Sequence, residues 1–344
     1  MRLEGFPVRL EARREGRSGR KKPSAGLAPG SAWFDVSAIP MTHPGALPLG
    51  SSPSPADPAL AVQLAEISAR EMIEQLGFTH TPRMVRAGLV AGLSWVSGRL
   101  GRALARFDGR IGTVGIASAA EATLRELGAT WEVTGPRPPR EGPLLVVSNH
   151  PGAYDALVLL AALGRQDVMI LAANRSFLRA LPELGRHLLL LANDGRAGGQ
   201  VAAVRQAFAH LTRGHAVLHF PAGRIEPDPA FVVSDAPLLA WRAGTGALVR
   251  ATARASGSIA GALVGGVHSP RAKRHWAVRW AERRGVTTVA LLLQMVARRF
   301  HDVHATVHFT DAVLAATLLD GEGDDAAITA QLRDTVGALR RAAT

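Results

Sequence analysis

Two side chains five positions apart, His150 and Asp155, carry the clearest chemistry in this sequence, within Ser148-Asn149-His150-Pro151-Gly152-Ala153-Tyr154-Asp155. An imidazole that meets a carboxylate through one ring nitrogen keeps the other nitrogen ready to take a proton, which suits general-base chemistry on a hydroxyl. The apolar run Leu144–Val147 lies between Gly142-Pro143 and Pro151-Gly152, and breakers on both flanks predict a short interior strand. His150 then stands at the carboxyl end of a strand, and Asp155 near the start of a helix predicted over Tyr154–Leu163. Ligands bind at that edge of open α/β sheets, because its loops have no ladder to maintain and the next helix presents its N-terminus. From this stretch alone, a strand-end histidine beside an acid that merely favours the helix dipole reads equally well.

Three later segments add candidates. Asn193-Asp194-Gly195-Arg196 follows the strand-like run Leu188–Leu191, Phe220 to Pro227 follows His215–Phe220, and Ile259–Val264 is itself apolar and strand-like. Parallel strands in one sheet would gather His150, Arg196 and Arg224 around one cleft. A base, an orienting acid and two guanidinium groups suit attack by a hydroxyl on a carbonyl in a phosphate-bearing substrate. Arg175, in Asn174-Arg175-Ser176 after another predicted strand, is a further phosphate candidate. Several chemistries are absent from the sequence: there is no G-x-S-x-G elbow, no G-x-x-x-x-G-K loop and no cysteine. Gly244-Thr245-Gly246 lacks a third glycine at Val249. The pairs His215/His219 and His304/His308 fall on predicted strands without a carboxylate, so no metal site is expected.

These residues need a frame, and length and composition allow one: 344 residues, 47% of them hydrophobic, are ample for a large core. The net charge of +12 comes almost wholly from arginine and favours anionic partners, while 5% aromatic content argues against platforms for single-stranded nucleic acid. No apolar run reaches the roughly 18 to 20 residues of a membrane-spanning helix, and no secretory signal is evident. Residues 1–58, basic and then rich in Pro, Ser and Gly, are expected to be a disordered tail. A helical segment is expected over 59–129, including a helix after Pro82 with Trp95 beside an arginine stripe and a third helix from Ser118, its N-cap, to Leu127. Over 130–322 short strands alternate with helices, which predicts an α/β fold with a largely parallel sheet flanked by helices. The arginine-dense stretch at about 271–299, with Trp276 and Trp280, reads as a helical insertion or lid. A C-terminal helix is expected over 323–344.

The order of these motifs resembles the glycerophospholipid acyltransferase superfamily, the PlsC-type or lysophospholipid acyltransferases. Asn149-His150 to Asp155 matches the family's N-H-x-x-x-x-D motif fully. Gly185 to Arg196 matches the second motif loosely, Phe220-Pro221-x-Gly223 matches half of F-P-E-G-T-R, and Ile259–Val264 matches the fourth in its apolar character without the prolines. The resemblance implies that fold and an O-acyl transfer to a hydroxyl of a glycerophospholipid precursor or related lysolipid. Acyl-CoA or acyl carrier protein would be co-substrate, with no cofactor and no metal. It implies His150 as general base and Asp155 as its orienting partner, backbone N–H groups near Gly223 as oxyanion donors, and Arg196 and Arg224 as ligands of acceptor phosphate. Asn149, Arg175, Phe220, Pro221, Gly223 and Glu226 complete the expected substrate-binding set. The chain departs from the family at Ala222, Arg224 and Ile225, where Glu, Thr and Arg are usual and shape acceptor binding, and Glu226 reads as a displaced acid or a loop residue. A cytoplasmic enzyme, peripheral on the inner face of the cell membrane and meeting an anionic membrane surface, is expected. The degraded third motif leaves open a non-catalytic lipid- or acyl-chain-binding protein on the same fold, or an acyltransferase for a non-glycerophosphate acceptor. Binding of nucleic acid lacks any recognition motif.

Overall fold

The computed structural model describes residues 57–75, 82–191, 197–232, 237–283, 288–319 and 323–342. The expected tail, except residues 57 and 58, and the Asn193–Arg196 turn lie outside the described residues. Helices α1 (Pro58–Gln75) and α2 (Arg83–Val114) pack closely, with Gly101 at their contact: a β-carbon there would sit 2.3 Å from Ala61 O. Helix α3 (Ile116–Glu126) begins two residues before the expected cap, so Ser118 does not cap it. Its start is satisfied from far away instead, by Gln166, whose Oε1 accepts from Ala117 N at 3.1 Å.

Eight strands follow: β1 (Thr130–Thr134), β2 (Leu144–Ser148), β3 (Val168–Ala173), β4 (Leu188–Leu191), β5 (Ala216–His219), β6 (Ser258–Gly265), β7 (His304–Phe309) and β8 (Val313–Leu314). They form one sheet in the order β1-β7-β6-β2-β5-β3-β4, with β8 paired to β6. From β6 through β4 every pairing is parallel, whereas β7 runs antiparallel to β6 and parallel to β1. The largely parallel sheet expected from the sequence is therefore present, and its two antiparallel pairings, of β7 and of β8, are both with β6. Among the connecting helices are α4 (Ala153–Leu163), α5 (Ser176–Arg179), α6 (Pro182–Gly185), α7 (Ala197–Leu211) and α8 (Gly244–Arg254). The arginine-dense segment is helical, as α9 (Pro270–Arg274), α10 (Trp276–Glu282) and α11 (Thr288–Val296), and α12 (Asp325–Ala342) is the last helix.

Strand β2 is buried along its whole length, as its bounded Leu-Leu-Val-Val run requires. Its side chains alternate between two cores. Leu144 and Val146 join Leu124, Val158 and Leu218 on one face, while Leu145 and Val147 join Ala207, Val249 and Val336 on the other. Each such burial contributes roughly 1.5–3 kcal/mol. Held from both faces and by ladders to β5 and β6, β2 fixes the point at which the chain leaves the sheet for His150.

Candidate active site

The first residue beyond β2 extends the sheet by side chain. Asn149 is fully buried; its Oδ1 accepts from Val264 N at 2.7 Å and its Nδ2 donates to Val264 O at 2.8 Å, tying the end of β2 to β6. Asn149, expected in the substrate-binding set, therefore has both amide atoms engaged inside the protein, and it positions its neighbour.

His150 follows, with Nδ1 at 2.8 Å from Oδ2 of Asp155. The carboxylate is wholly buried, and the same Oδ2 accepts from Gly152 N at 2.9 Å, so the first turn of α4 fixes the acid before the imidazole meets it. With Nδ1–H donated to Asp155, Nε2 of the neutral ring is an acceptor. The Phe220 ring lies 4.6 Å from the imidazole, centroid to centroid, and fixes its other face. Burial alone would lower the His150 pKa, but the Asp155 charge and hydrogen bond, together with the Glu226 charge, outweigh it and hold the pKa above its ordinary value.

Glu226 is also placed here, in a role the sequence does not reveal. It is buried; Oε2 accepts from His150 N at 2.9 Å and Oε1 from Leu239 N at 3.2 Å, while its own N–H donates to His150 O at 2.7 Å. Burial pushes its pKa up against the opposing pull of those donors and of His150. With both oxygens committed to backbone N–H groups, Glu226 is a latch on the His150 backbone and not a ligand of acceptor phosphate.

The turn after β5 closes the site. Gly223 takes φ +64°, and a β-carbon there would lie 2.6 Å from Arg242 Nε, so the position suits glycine alone. Its N–H donates to Phe220 O at 3.1 Å and is thereby removed from the expected oxyanion donors. The N–H groups of Arg224 and Ile225 make no hydrogen bond among the described residues. Pro221 O is held by Arg242 N at 3.0 Å. Ala222, where the resemblance would have a glutamate, is buried in the core under α7, α8 and α12. Arg224 is exposed beside this turn, and Arg175 is exposed at the carboxyl end of β3, on the same edge of the sheet. Arg196 is outside the described residues.

Three residues of this edge were not singled out in the sequence. The Arg242 guanidinium lies over Gly223. Asp228, also buried, accepts from Gly266 N at 2.7 Å, Ala230 N at 3.0 Å and His268 Nδ1 at 3.1 Å. Burial would raise the Asp228 pKa, yet His268 and the backbone donors hold it below the usual carboxylate range. His268 in turn stands against Gly152, where a β-carbon would sit 3.3 Å from its Cε1. A second acid–histidine pair thus braces the turn of the first. The only local signals were an acid two residues after Glu226 and a histidine three residues beyond β6. His219 is buried and neutral: burial draws its pKa down to about 3, and Nε2 meets Thr245 Oγ1 at 3.1 Å. No metal-binding cluster occurs among the described residues.

The family model Acyltransferase matches residues 130–262, from β1 into β6, and so includes His150, Asp155 and the Phe220–Gly223 turn. The chain carries an acyltransferase domain. Among solved structures, this chain is similar to the crystal structure of the 1-acyl-sn-glycerophosphate (LPA) acyltransferase PlsC from Thermotoga maritima. The identity is 13% and the TM-score 0.44, over 81% of this chain and 97% of that one. A comparison with curated proteins finds no match. The acyltransferase domain presents its His–Asp pair at the carboxyl edge of a mostly parallel sheet flanked by helices.

Proposed function

We propose that this acyltransferase moves a fatty acyl group from a thioester, acyl-CoA or acyl carrier protein, to a free hydroxyl of a lysolipid, with His150 as general base. The observation that carries the reading is the 2.8 Å contact between His150 Nδ1 and a fully buried Asp155 inside the acyltransferase domain. Nε2 takes the acceptor proton as the hydroxyl oxygen bonds to the thioester carbonyl carbon. When the tetrahedral intermediate collapses, the C–S bond breaks, and the proton on Nε2 passes to the departing thiolate. Asp155 holds the ring orientation and stabilises the imidazolium between these steps. The unbonded N–H groups of Arg224 and Ile225 serve as the oxyanion donors in this reading. No cofactor is required, since the thioester supplies the activation.

Arg224, Arg175 and Arg242 are the cations for the acceptor's phosphate, with Arg196 a further one from the sequence. A buried Ala222 cannot replace the glutamate of related motifs, so the acceptor need not be lysophosphatidic acid. No helix among the described residues is long and apolar enough to cross a membrane, and the lipid acceptor calls for a peripheral enzyme, here assigned to the inner face of the cell membrane. Purified protein given labelled acyl-CoA or acyl carrier protein with a panel of lysolipids should form product, and His150→Ala should not. Acyl-donor binding without turnover on any acceptor would instead identify a silent lipid-binding protein.

A further inference from the structure

Helices α9 to α11 form a small body with its own core, centred on Ala272, Val278, Ala290 and Phe300. That core occupies one side of α10. On the opposite side Trp276 is 74% exposed and Trp280, one turn later, 53%. Two tryptophans this exposed mark a surface that meets something other than water. Phe231, partly exposed, lies under Lys273 of α9, whose Nζ is 5.7 Å above its ring. The acids of this body are neutralised internally: Glu282 pairs with Lys273, and Asp302 lies 3.5 Å from Arg271. Arg274, Arg279 and Arg283 are exposed and form no ion pair among the described residues.

We propose that this face of α10, with Trp276, Arg279 and Trp280, flanked in the chain by Arg274 and Arg283, docks the protein on an anionic lipid bilayer. Indole rings settle at the level of the headgroups and guanidinium groups meet their phosphates, so one short helix satisfies both layers of the interface. The position of the face supports this partner. The chain passes from the end of β6 at Gly265 to the start of α9 at Pro270, and Phe231 belongs to the segment that leaves the Phe220–Gly223 turn. Because β6 runs parallel to β2, both connections start from the sheet edge that carries His150, where a lysolipid would enter. Only that purpose rests on the proposed acceptor; the binding is read without turnover.

The test is flotation of the full chain with phosphatidylglycerol vesicles and with phosphatidylcholine vesicles. Binding to the anionic vesicles alone is expected, weakened by salt. Arg279→Gln with Arg283→Gln should weaken it about 25-fold, at roughly fivefold for each cation near the surface. Trp276→Ser with Trp280→Ser should abolish tryptophan quenching by brominated lipid, with an unchanged circular dichroism melt. His150→Ala should float like the parent, which separates this proposal from the catalytic one. Flotation of both double variants at the parent's level would overturn it. So would loss of binding only to an acidic acyl carrier protein, with vesicle binding intact.

Discussion

A proton already on His150 Nε2 blocks the step assigned to it, so its pKa sets the acid limit of activity. Asp155 and Glu226 both favour the imidazolium and hold that pKa above the ordinary value of about 6.5. Turnover therefore rises as pH increases through the raised value. Asp155→Asn removes the strongest of those stabilising charges, and a profile of kcat/KM against pH should show the limb at lower pH with a rate reduced by about 10²–10⁴. Linkage has the opposite sign for stability: the contribution of a raised histidine is complete below its unfolded pKa and is lost as pH rises through the folded one. The latch makes a separate prediction. Glu226→Ala leaves the His150 and Leu239 N–H groups without their acceptors, and a denaturant melt should show a loss of about 1–3 kcal/mol for each. An unchanged melt would mean that Glu226 does not hold the turn.

At the scale of elements, the site depends on how β2 is joined to its neighbours. Asn149 makes that joint, and Asn149→Ala strands a buried N–H and C=O of Val264; a lower Tm is expected, with about 1–3 kcal/mol lost for each orphaned group. Much of this frame was legible. The Leu144–Val147 run between breakers gave β2, and the alternation of strands and helices gave the parallel body, because burial on both faces and turn chemistry are written locally. His150 and Asp155 were legible for the same reason, since a strand end and a helix start five residues apart bring them together. What was not legible depends on distant partners. Gln166 caps α3 from 49 residues away, β1 pairs with β7 across the chain, and Glu226 finds the His150 backbone only after β5 has paired with β2. Asn149 read as a ligand because sequence does not show that its amide meets Val264.

For the whole molecule, two helical layers clamp the sheet and leave its carboxyl edge as the place where β2, β3, β5 and β6 deliver the reactive and cationic groups. From the same edge the chain passes out of β6 into α9 and α10, whose arginine and tryptophan face is the one proposed to meet a lipid surface. Excess positive charge, which composition alone could assign to any anion, gains a location there. All of this chemistry depends on the base at the end of β2. Its most direct test is single-turnover acyl transfer from a labelled thioester to the lysolipid that the parent acylates best, comparing the parent with His150→Ala. Loss of product formation, with acyl-donor binding and the folding melt retained, is the predicted result; product formed by His150→Ala at the parent's rate would contradict it.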